Sequence, residues 1–547
     1  MILKITKDAA TLHSTATPAI LAVLPRIEGR RQWVDRGTKL RVEVTPWNIS
    51  ILGSIPGVVI EEEPRVKIST RIKRDTYQFK TQPFDHQTKA LDKFEDCPHF
   101  GLFMEQGTGK TKVCIDRGGE LFCNKEITGM FILSKKGVHR QWIESEFAAH
   151  CGVPYYGEYW SNKTKPDFTK NMHPNKDTLK VFSMNYDALR TKKGMDAAVA
   201  FCREHDQQLL IVCDESQEIK NSRAQRHKAA CNLRPFSTHR IIATGTPIAK
   251  DLTDEWAQLK WLNESIIGIR YVTAFRNEYC IMGGFENRQV VGHRNVERFK
   301  ELTAPFIFRV TKDDIGILPK LFNTWGYDLD RTQVDTIRQI KRELEAELAC
   351  GEIVSIANAV AGLNKIQQVS SGFILDSEGK AHDLFPHYDK NPKLNAMLDW
   401  YYGREGKAII WLRFKHEAKM VCDVLERNNI PYVQYTGSDH QRADAVKSFL
   451  TEEIGAEVFV ANPQSAGTGL NLQGLCSRAL YYSNSFNAID RYQSEDRIHR
   501  IGTTKVCTYT DMVGAGTLDR YILNNLRKKK GISDLVLDDI KDLLGSL

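Results

Sequence analysis

Apolar residues come in short, nearly continuous runs along two long stretches of the chain, and the intervals between the runs carry apolar positions at helical spacing. In the first stretch the runs are 100–104, 129–133, 179–183, 209–213 and 240–243; in the second they are 408–412, 432–435, 458–461 and 478–482. Runs this short, without polar alternation, are expected of strands covered on both faces, and strands alternating with helices predict a parallel sheet between helical layers. The fold class is therefore α/β, with one lobe expected over 76–312 and a second over 391–547. Between them the pattern over 313–390 turns helical, with 333–353 rich in Arg, Lys, Glu, Leu and Ala and a polar loop at 376–391; it reads as a helical insertion or linker. The end of the chain, 518–547, also reads as helical. Residues 1–75 hold strand-like runs at 40–44 and 58–61 separated by Gly and Pro, and predict a small N-terminal α+β accessory domain.

Composition narrows the class. Of 547 residues, 41% are hydrophobic and 26% charged, as in a water-soluble globular protein. No apolar stretch approaches the ~20 residues of a membrane span, and Met1-Ile2-Leu3-Lys4 does not open a secretory signal. The twelve cysteines form no C-x-x-C pair and no zinc spacing, so they are expected as reduced thiols in a cytoplasmic protein. A net charge of +8 is compatible with a nucleic-acid partner, although a solvated basic face gives the same number.

Two segments of the first lobe carry chemistry. Gly107-Thr108-Gly109-Lys110-Thr111 follows a predicted strand and opens a predicted helix, where backbone N–H groups can wrap phosphates. Lys110 is then expected on the β- and γ-phosphates of a nucleotide and Thr111 on Mg²⁺. The strict pattern has a glycine where Met104 stands. Asp214 and Glu215 end the 209–213 run; two acids there are costly to bury unless they serve a cation or a water. Asp214 is expected to hold the metal and Glu215 to polarise the attacking water. A helix N-cap followed by a first-turn acid would explain this pair taken alone.

The order of these motifs resembles helicase superfamily 2, in its Swi/Snf-type branch of duplex translocases. Gln82-Pro83-Phe84-Asp85-His86-Gln87 is similar to the segment whose glutamine, here Gln87, reads adenine, and Gln217 stands where the family usually has His. The branch's W-x-x-E-F element resembles Gln141-Trp142 through Glu146-Phe147. Ser183 to Leu189, Lys220-Asn221, Ala243-Thr244-Gly245-Thr246-Pro247 and Phe306 to Lys312 with Arg309 match further motifs in order. In the second lobe, Tyr435-Thr436-Gly437-Ser438, the segment Gln464 to Leu472 with Gly469, and Gln493 through Arg497 to Gly502 continue the resemblance. On a helix, Gln493, Arg497 and Arg500 would share one face, able to offer guanidinium groups to a γ-phosphate. Residues 25–52, with Trp33, Lys39, Thr45-Pro46, Asn48 and Leu52, resemble the HepA-related module of annealing-helicase-type proteins. That module reads either as a β-rich cap on the first lobe or as a DNA-structure sensor using arginines with Trp33 and Trp47.

The resemblance, covering Gln82 to Gly514, implies two tandem RecA-like lobes and an ATP-hydrolysing translocase on double-stranded or branched DNA, with ATP and Mg²⁺, acting as a monomer and away from membranes. Its catalytic set is Glu215, Gln217, Arg497 and Arg500; its nucleotide set is Gln87, Gly107, Thr108, Gly109, Lys110, Thr111 and Gly469. Track contacts are expected at Lys135, Asn185, Tyr186, Gly245, Thr246, Arg413 and Ser465, gripping phosphates without reading sequence. Remodelling or reannealing of forks is the leading activity. A strand-separating DNA or RNA helicase, a remodeller that strips proteins from DNA and an inactive scaffold are the alternatives. The chain is short for the branch and carries no chromatin-reading motif, which points to a bacterial or phage protein.

Overall fold

The computed structural model describes residues 1–5, 10–27, 31–42, 48, 51–52, 55, 58–62, 77–163, 171–248, 251–284, 289–349, 356–403, 406–435, 439–451, 455–466, 472–474 and 476–527. The chain divides into two compact units, Met1–Ile315 and Gly316–Leu547.

The first unit opens with β1 (Ile2–Ile5), β2 (Ala10–His13), β3 (Arg31–Val34), β4 (Lys39–Val42) and β5 (Val59–Glu62), which form a sheet in the order β3-β4-β2-β1-β5. All neighbours are antiparallel except β1 and β5. Its inner residues Leu3, Leu12, Ile20 and Leu40 are fully buried in the same apolar cluster that runs into Trp256 and Ile266 of the lobe. The module is thus a cap on the first lobe, with a shared core. Trp33 is half-buried and packs against that core. Lys39 pairs with Asp35 at 2.5 Å. Arg30, Thr45-Pro46, Trp47, Arg71, Lys73 and Arg74 lie outside the described residues.

The lobe itself holds β6 (His99–Met104), β7 (Gly129–Ser134), β8 (Tyr155–Tyr159), β9 (Leu179–Asn185), β10 (Leu209–Asp214) and β11 (His239–Ala243), then a hairpin of β12 (Cys280–Gly283) and β13 (Gln289–His293), then β14 (Ile307–Val310). Seven strands pair in the order β14-β6-β11-β10-β7-β9-β8, every pair parallel. Alternate residues of each strand feed the two faces. Leu209, Ile211 and Cys213 join one cluster and Leu210 and Val212 the other. This two-sided burial is why the runs look continuously apolar.

The second unit contains β15 (Lys320–Tyr327), a hairpin of β16 (Phe373–Leu375) and β17 (Ala381–Asp383), then β18 (Lys407–Trp411), β19 (Tyr432–Gln434), β20 (Val458–Ala461), β21 (Cys476–Tyr481) and β22 (Cys507–Gly514). Its main sheet is parallel, in the order β15-β22-β21-β18-β20-β19. The helices Arg331–Ala349 and Ile356–Ser371 match the expected helical stretch. Their Ile337, Leu344 and Ile366 pack with Ile522 of the helix Asp519–Arg527.

One expectation is corrected here. The stretch 313–390 is not helical throughout, because β15 within it is an edge strand of the second sheet. Leu321, Phe322 and Trp325 are exposed, so the strand shows neither an apolar run nor an alternation. β22 escapes the pattern for the opposite reason, with Thr510 and Asp511 buried among apolar neighbours. No helix among the described residues is long and apolar enough to cross a membrane.

Phe131 of β7 sits between Phe182 and Phe201, with centroids at 5.6 and 6.1 Å. Phe131→Ala is expected to remove about 3–5 kcal/mol from the unfolding free energy of the first unit. Urea unfolding followed by a probe in that unit checks this, and a shift too small to resolve would show that the three rings are not a packed core.

Candidate functional site

In the first unit, β6, β11 and β10 are neighbours, and Ala243 is level with both Leu102 and Asp214. The chain leaves all three strands at the carboxyl edge, so the loops beginning at Glu105, Thr244 and Glu215 converge there, where open parallel sheets bind ligands.

The first loop is a cradle. Gly107 and Gly109 hold φ of +82° and +84°, a region that a side chain disfavours. A Cβ on Gly109 would lie 2.1 Å from Gln87 Nε2. Thr108 Oγ1 donates to the Glu105 carbonyl at 2.7 Å, folding the loop on itself. His86 Nε2 lies 2.8 Å from the Thr108 carbonyl. Gln87 Nε2 donates to the Gly109 carbonyl at 3.2 Å while its Oε1 accepts the Phe84 N–H at 2.9 Å. Each end of that amide keeps one further hydrogen-bonding valence. The helix Lys110–Cys123 starts directly after Gly109, so the N–H groups of its first turn and its positive end face the cradle. The Lys110 ammonium reaches back to the carbonyls of Met104 (2.9 Å) and Glu105 (3.2 Å). The Lys312 N–H donates to the Glu105 carboxylate at 2.8 Å and ties the segment after β14 to the loop.

The acids sit beside it. Asp214 Oδ2 accepts Trp142 Nε1–H at 3.0 Å, Oδ1 accepts the Glu215 N–H at 3.0 Å, and the backbone carbonyl accepts the Tyr186 hydroxyl at 2.8 Å. Burial and the neighbouring Glu215 carboxylate push the Asp214 pKa up, against the Trp142 bond and the Lys110 charge. A carboxylate so disfavoured is relieved by a cation. With the Thr111 hydroxyl on the first turn of the helix, the oxygen donor set suits Mg²⁺, and the glycine cradle suits a nucleotide's phosphates.

Glu215 adopts the left-handed region, φ +51°. Its Oε2 accepts Gln217 Nε2–H at 2.7 Å; Gln217 Oε1 accepts the Thr244 hydroxyl at 2.6 Å; Thr244 Oγ1 accepts the Thr246 N–H at 3.0 Å. A second route runs from Ser216 Oγ to Gln258 Oε1 (2.6 Å) and from Gln258 Nε2 to the Pro247 carbonyl (2.7 Å). A Cβ on Gly245 would meet Gln106 N at 3.0 Å, so the bare α-carbon lets this loop lie against the cradle.

Other expected residues fall as follows. Thr246 is exposed, and Lys135 is half-buried, 3.8 Å from Glu218. Asn185 Oδ1 caps the Ala188 N–H at 2.9 Å, and the buried Tyr186 donates its hydroxyl to the Asp214 carbonyl. Arg413 directs its guanidinium at Asn364 (2.7 Å) and Gln367 on the helix Ile356–Ser371, and burial lowers its pKa. Ser465 lies on the short helix Pro463–Ala466. Gly469 and Thr436 to Ser438 lie outside the described residues.

In the second unit the expected helical face of Gln493, Arg497 and Arg500 is corrected. The helix is Ala488–Glu495 and stops before either arginine. The N–H groups of Arg497 and Ile498 bond only three residues back, and each guanidinium folds onto a carbonyl of the ending turn. Arg497 Nε donates to Gln493 O and Arg500 Nε to Asp496 O, both at 2.8 Å. The negative end of the helix favours cations there. Arg497 is fully buried, whereas Arg500 is half-buried and the better placed to reach a ligand.

The sequence reading missed the hydrogen bond from Trp142 to Asp214 and the buried ladder from Arg491 to Glu495 and Asp511. Trp142 carried a signal as part of the W-x-x-E-F element. The ladder carried none, because an Arg on a polar helix reads as a solvated face.

Both lobes are similar to known protein domains. The SNF2-related domain matches residues 89–361 and the helicase conserved C-terminal domain matches residues 389–502. The DNA repair and recombination protein RAD54-like of Homo sapiens is 24% identical over 61% of this chain, and the chain spans about half (48%) of that relative. The Gallus gallus protein of the same name is 24% identical over 84% of this chain and 68% of its own length. Among solved structures, the Sulfolobus solfataricus SWI2/SNF2 ATPase core in complex with dsDNA is similar at 20% identity and a TM-score of 0.39, over 82% of this chain and 91% of that one. With its two parallel-sheet lobes and the nucleotide cradle of the first, the chain belongs to the SNF2-related family, the Swi/Snf-type branch of helicase-like ATPases, and is an ATP-hydrolysing enzyme.

Proposed function

We propose that this ATPase translocates on double-stranded DNA and remodels or reanneals branched structures such as forks. One observation carries the reading: the acid assigned to hydrolysis, Glu215, is joined through Gln217 and Thr244 to Thr246, an exposed residue on a loop assigned to the track. A change at the γ-phosphate is thereby felt at a loop able to touch a phosphodiester backbone. The relatives named for DNA repair and recombination support DNA as the track.

In this reading Gln87 meets the adenine with its remaining amide valences, and the cradle and Lys110 take the β- and γ-phosphates. Thr111 and Asp214 would hold Mg²⁺, which would offset the charge that develops on the phosphates. Glu215 orients and polarises the attacking water, and Gln217 holds its carboxylate in place. Arg500, with Arg497 behind it, stabilises the transferring phosphoryl group. Lys110 belongs to the first unit and Arg500 to the second. Contacts through Lys135 and Thr246 reach the backbone rather than base edges, so grip is blind to sequence and falls with salt.

Duplex-containing DNA is expected to stimulate ATP hydrolysis more than single strands or RNA, and Lys110→Ala is expected to abolish it. Rates measured with no nucleic acid, single strand, duplex, fork and RNA check this. Equal stimulation by single strands would favour strand separation instead. Trp142→Phe deletes the donor to Asp214 and keeps an aromatic ring. A lost bond to a charged group is worth about 1.5–3 kcal/mol, so the turnover number should fall ~10- to 100-fold. Wild-type turnover in this variant would mean that the indole is only packing.

A further inference from the structure

The turn that carries Arg497 and Arg500 is held from an unexpected side. β15, the first strand of the second unit, begins at Lys320, four residues after the unit begins at Gly316. The Lys320 ammonium lies 2.9 Å from Glu495 Oε2 and 3.0 Å from Asp496 Oδ1. These are the last residue of the helix Ala488–Glu495 and the one after it, directly before Arg497. Two residues earlier, the Leu318 carbonyl lies 2.6 Å from His499 Nε2, on the far side of Arg497 and next to Arg500. Tyr509 of β22 completes the joint: its hydroxyl donates to the Glu495 carbonyl at 2.6 Å, while Lys320 and Phe322 lie against its ring. The segment 318–322 therefore touches the arginine turn on both sides of Arg497.

We propose that Lys320 is a positioning residue of the ATPase, a latch that ties the entry strand of the second unit to the turn presenting Arg497 and Arg500. Glu495 and Asp496 are both nearly fully buried, and Glu495 also accepts Arg491 Nε–H at 2.7 Å. Arg491 in turn bonds Asp511. Lys320 is thus a cation shared by two adjacent buried acids at the end of the helix. Burial alone would lower its pKa, but the two carboxylates outweigh it and hold the ammonium above the usual lysine value. A chain entering through 316–320 cannot shift without moving the socket, and the socket is continuous with the arginines. The latch stands on geometry within the second unit; its purpose rests on the ATPase reading above.

The test uses the full chain and two readouts. Hydrogen exchange of the 494–503 backbone is compared among wild type, Lys320→Met, Lys320→Arg and a control, Arg478→Met, which removes a buried cation bonded to the Gly406 and Tyr401 carbonyls of the same unit. Lys320→Met should speed exchange across 494–503 by at least about tenfold with 407–411 unchanged, Lys320→Arg should restore protection, and the control should leave 494–503 as it is. In parallel, kcat for ATP in Lys320→Met should fall ~10- to 100-fold, as misplacement of a catalytic group does, with KM within about twofold. Should Lys320→Met fail to fold, Lys320→Met combined with Glu495→Gln and Asp496→Asn removes the unpaired buried charge and takes its place. Unchanged exchange over 494–503, or an equal loss in the control, overturns the latch. A wild-type chain that hydrolyses no ATP overturns the functional reading, while the exchange comparison still decides the latch.

Discussion

Two carboxylates at the end of a buried strand, Asp214 and Glu215, set the terms for the rest of this structure. β10 is apolar on both faces, so its carboxyl end delivers Asp214 into an environment that resists its charge. Each is answered differently. Asp214 takes hydrogen bonds from Trp142 and the Glu215 backbone and feels the positive charge of Lys110. Glu215 leaves the strand in a left-handed conformation and is steadied by one amide hydrogen bond from Gln217. The sheet order that puts β11 between β6 and β10 gives the same amide its second partner, Thr244. Chemistry and communication thus share one glutamine, where the family more often has a histidine. An amide can donate to one side and accept from the other at any ordinary pH.

The second unit solves a related problem with ion pairs. Lys320, Glu495, Arg491 and Asp511 form a buried alternating ladder across β15, the helix Ala488–Glu495 and β22. Such ladders add little net stability over apolar packing, but losing one member strands the others. They fix geometry, and the geometry fixed here is that of the turn bearing Arg497 and Arg500.

Much of this was legible in the sequence because parallel strands buried on both faces announce themselves as apolar runs, and β6, β7, β9, β10, β11, β18, β20 and β21 all did. The cradle was legible because the left-handed backbone at 107 and 109 favours glycine. Some edge strands were not: β8, β14 and β15 lack full cover, so their composition resembles loop, whereas the edge strands β5 and β19 still showed as short runs. β22 was hidden by Asp511, a charge that makes sense only beside Arg491. The arginine turn was read as helix because its i+4 and i+3 spacing fits one, although the helix ends at Glu495. Asn185, Tyr186 and Arg413 were assigned to the track by resemblance, and only coordinates reveal the local partners that occupy them.

The central claim is that the acid at the γ-phosphate and the loop at the track are joined through Gln217 and Thr244. Thr244→Val keeps the shape of that side chain and deletes the hydroxyl that links Gln217 to the Thr246 N–H. Measured as the ratio of duplex-stimulated to unstimulated ATP hydrolysis, the account predicts a fall of about tenfold or more, the worth of a buried bond between polar groups that must otherwise stand unpaired. A ratio equal to that of the wild type would contradict it.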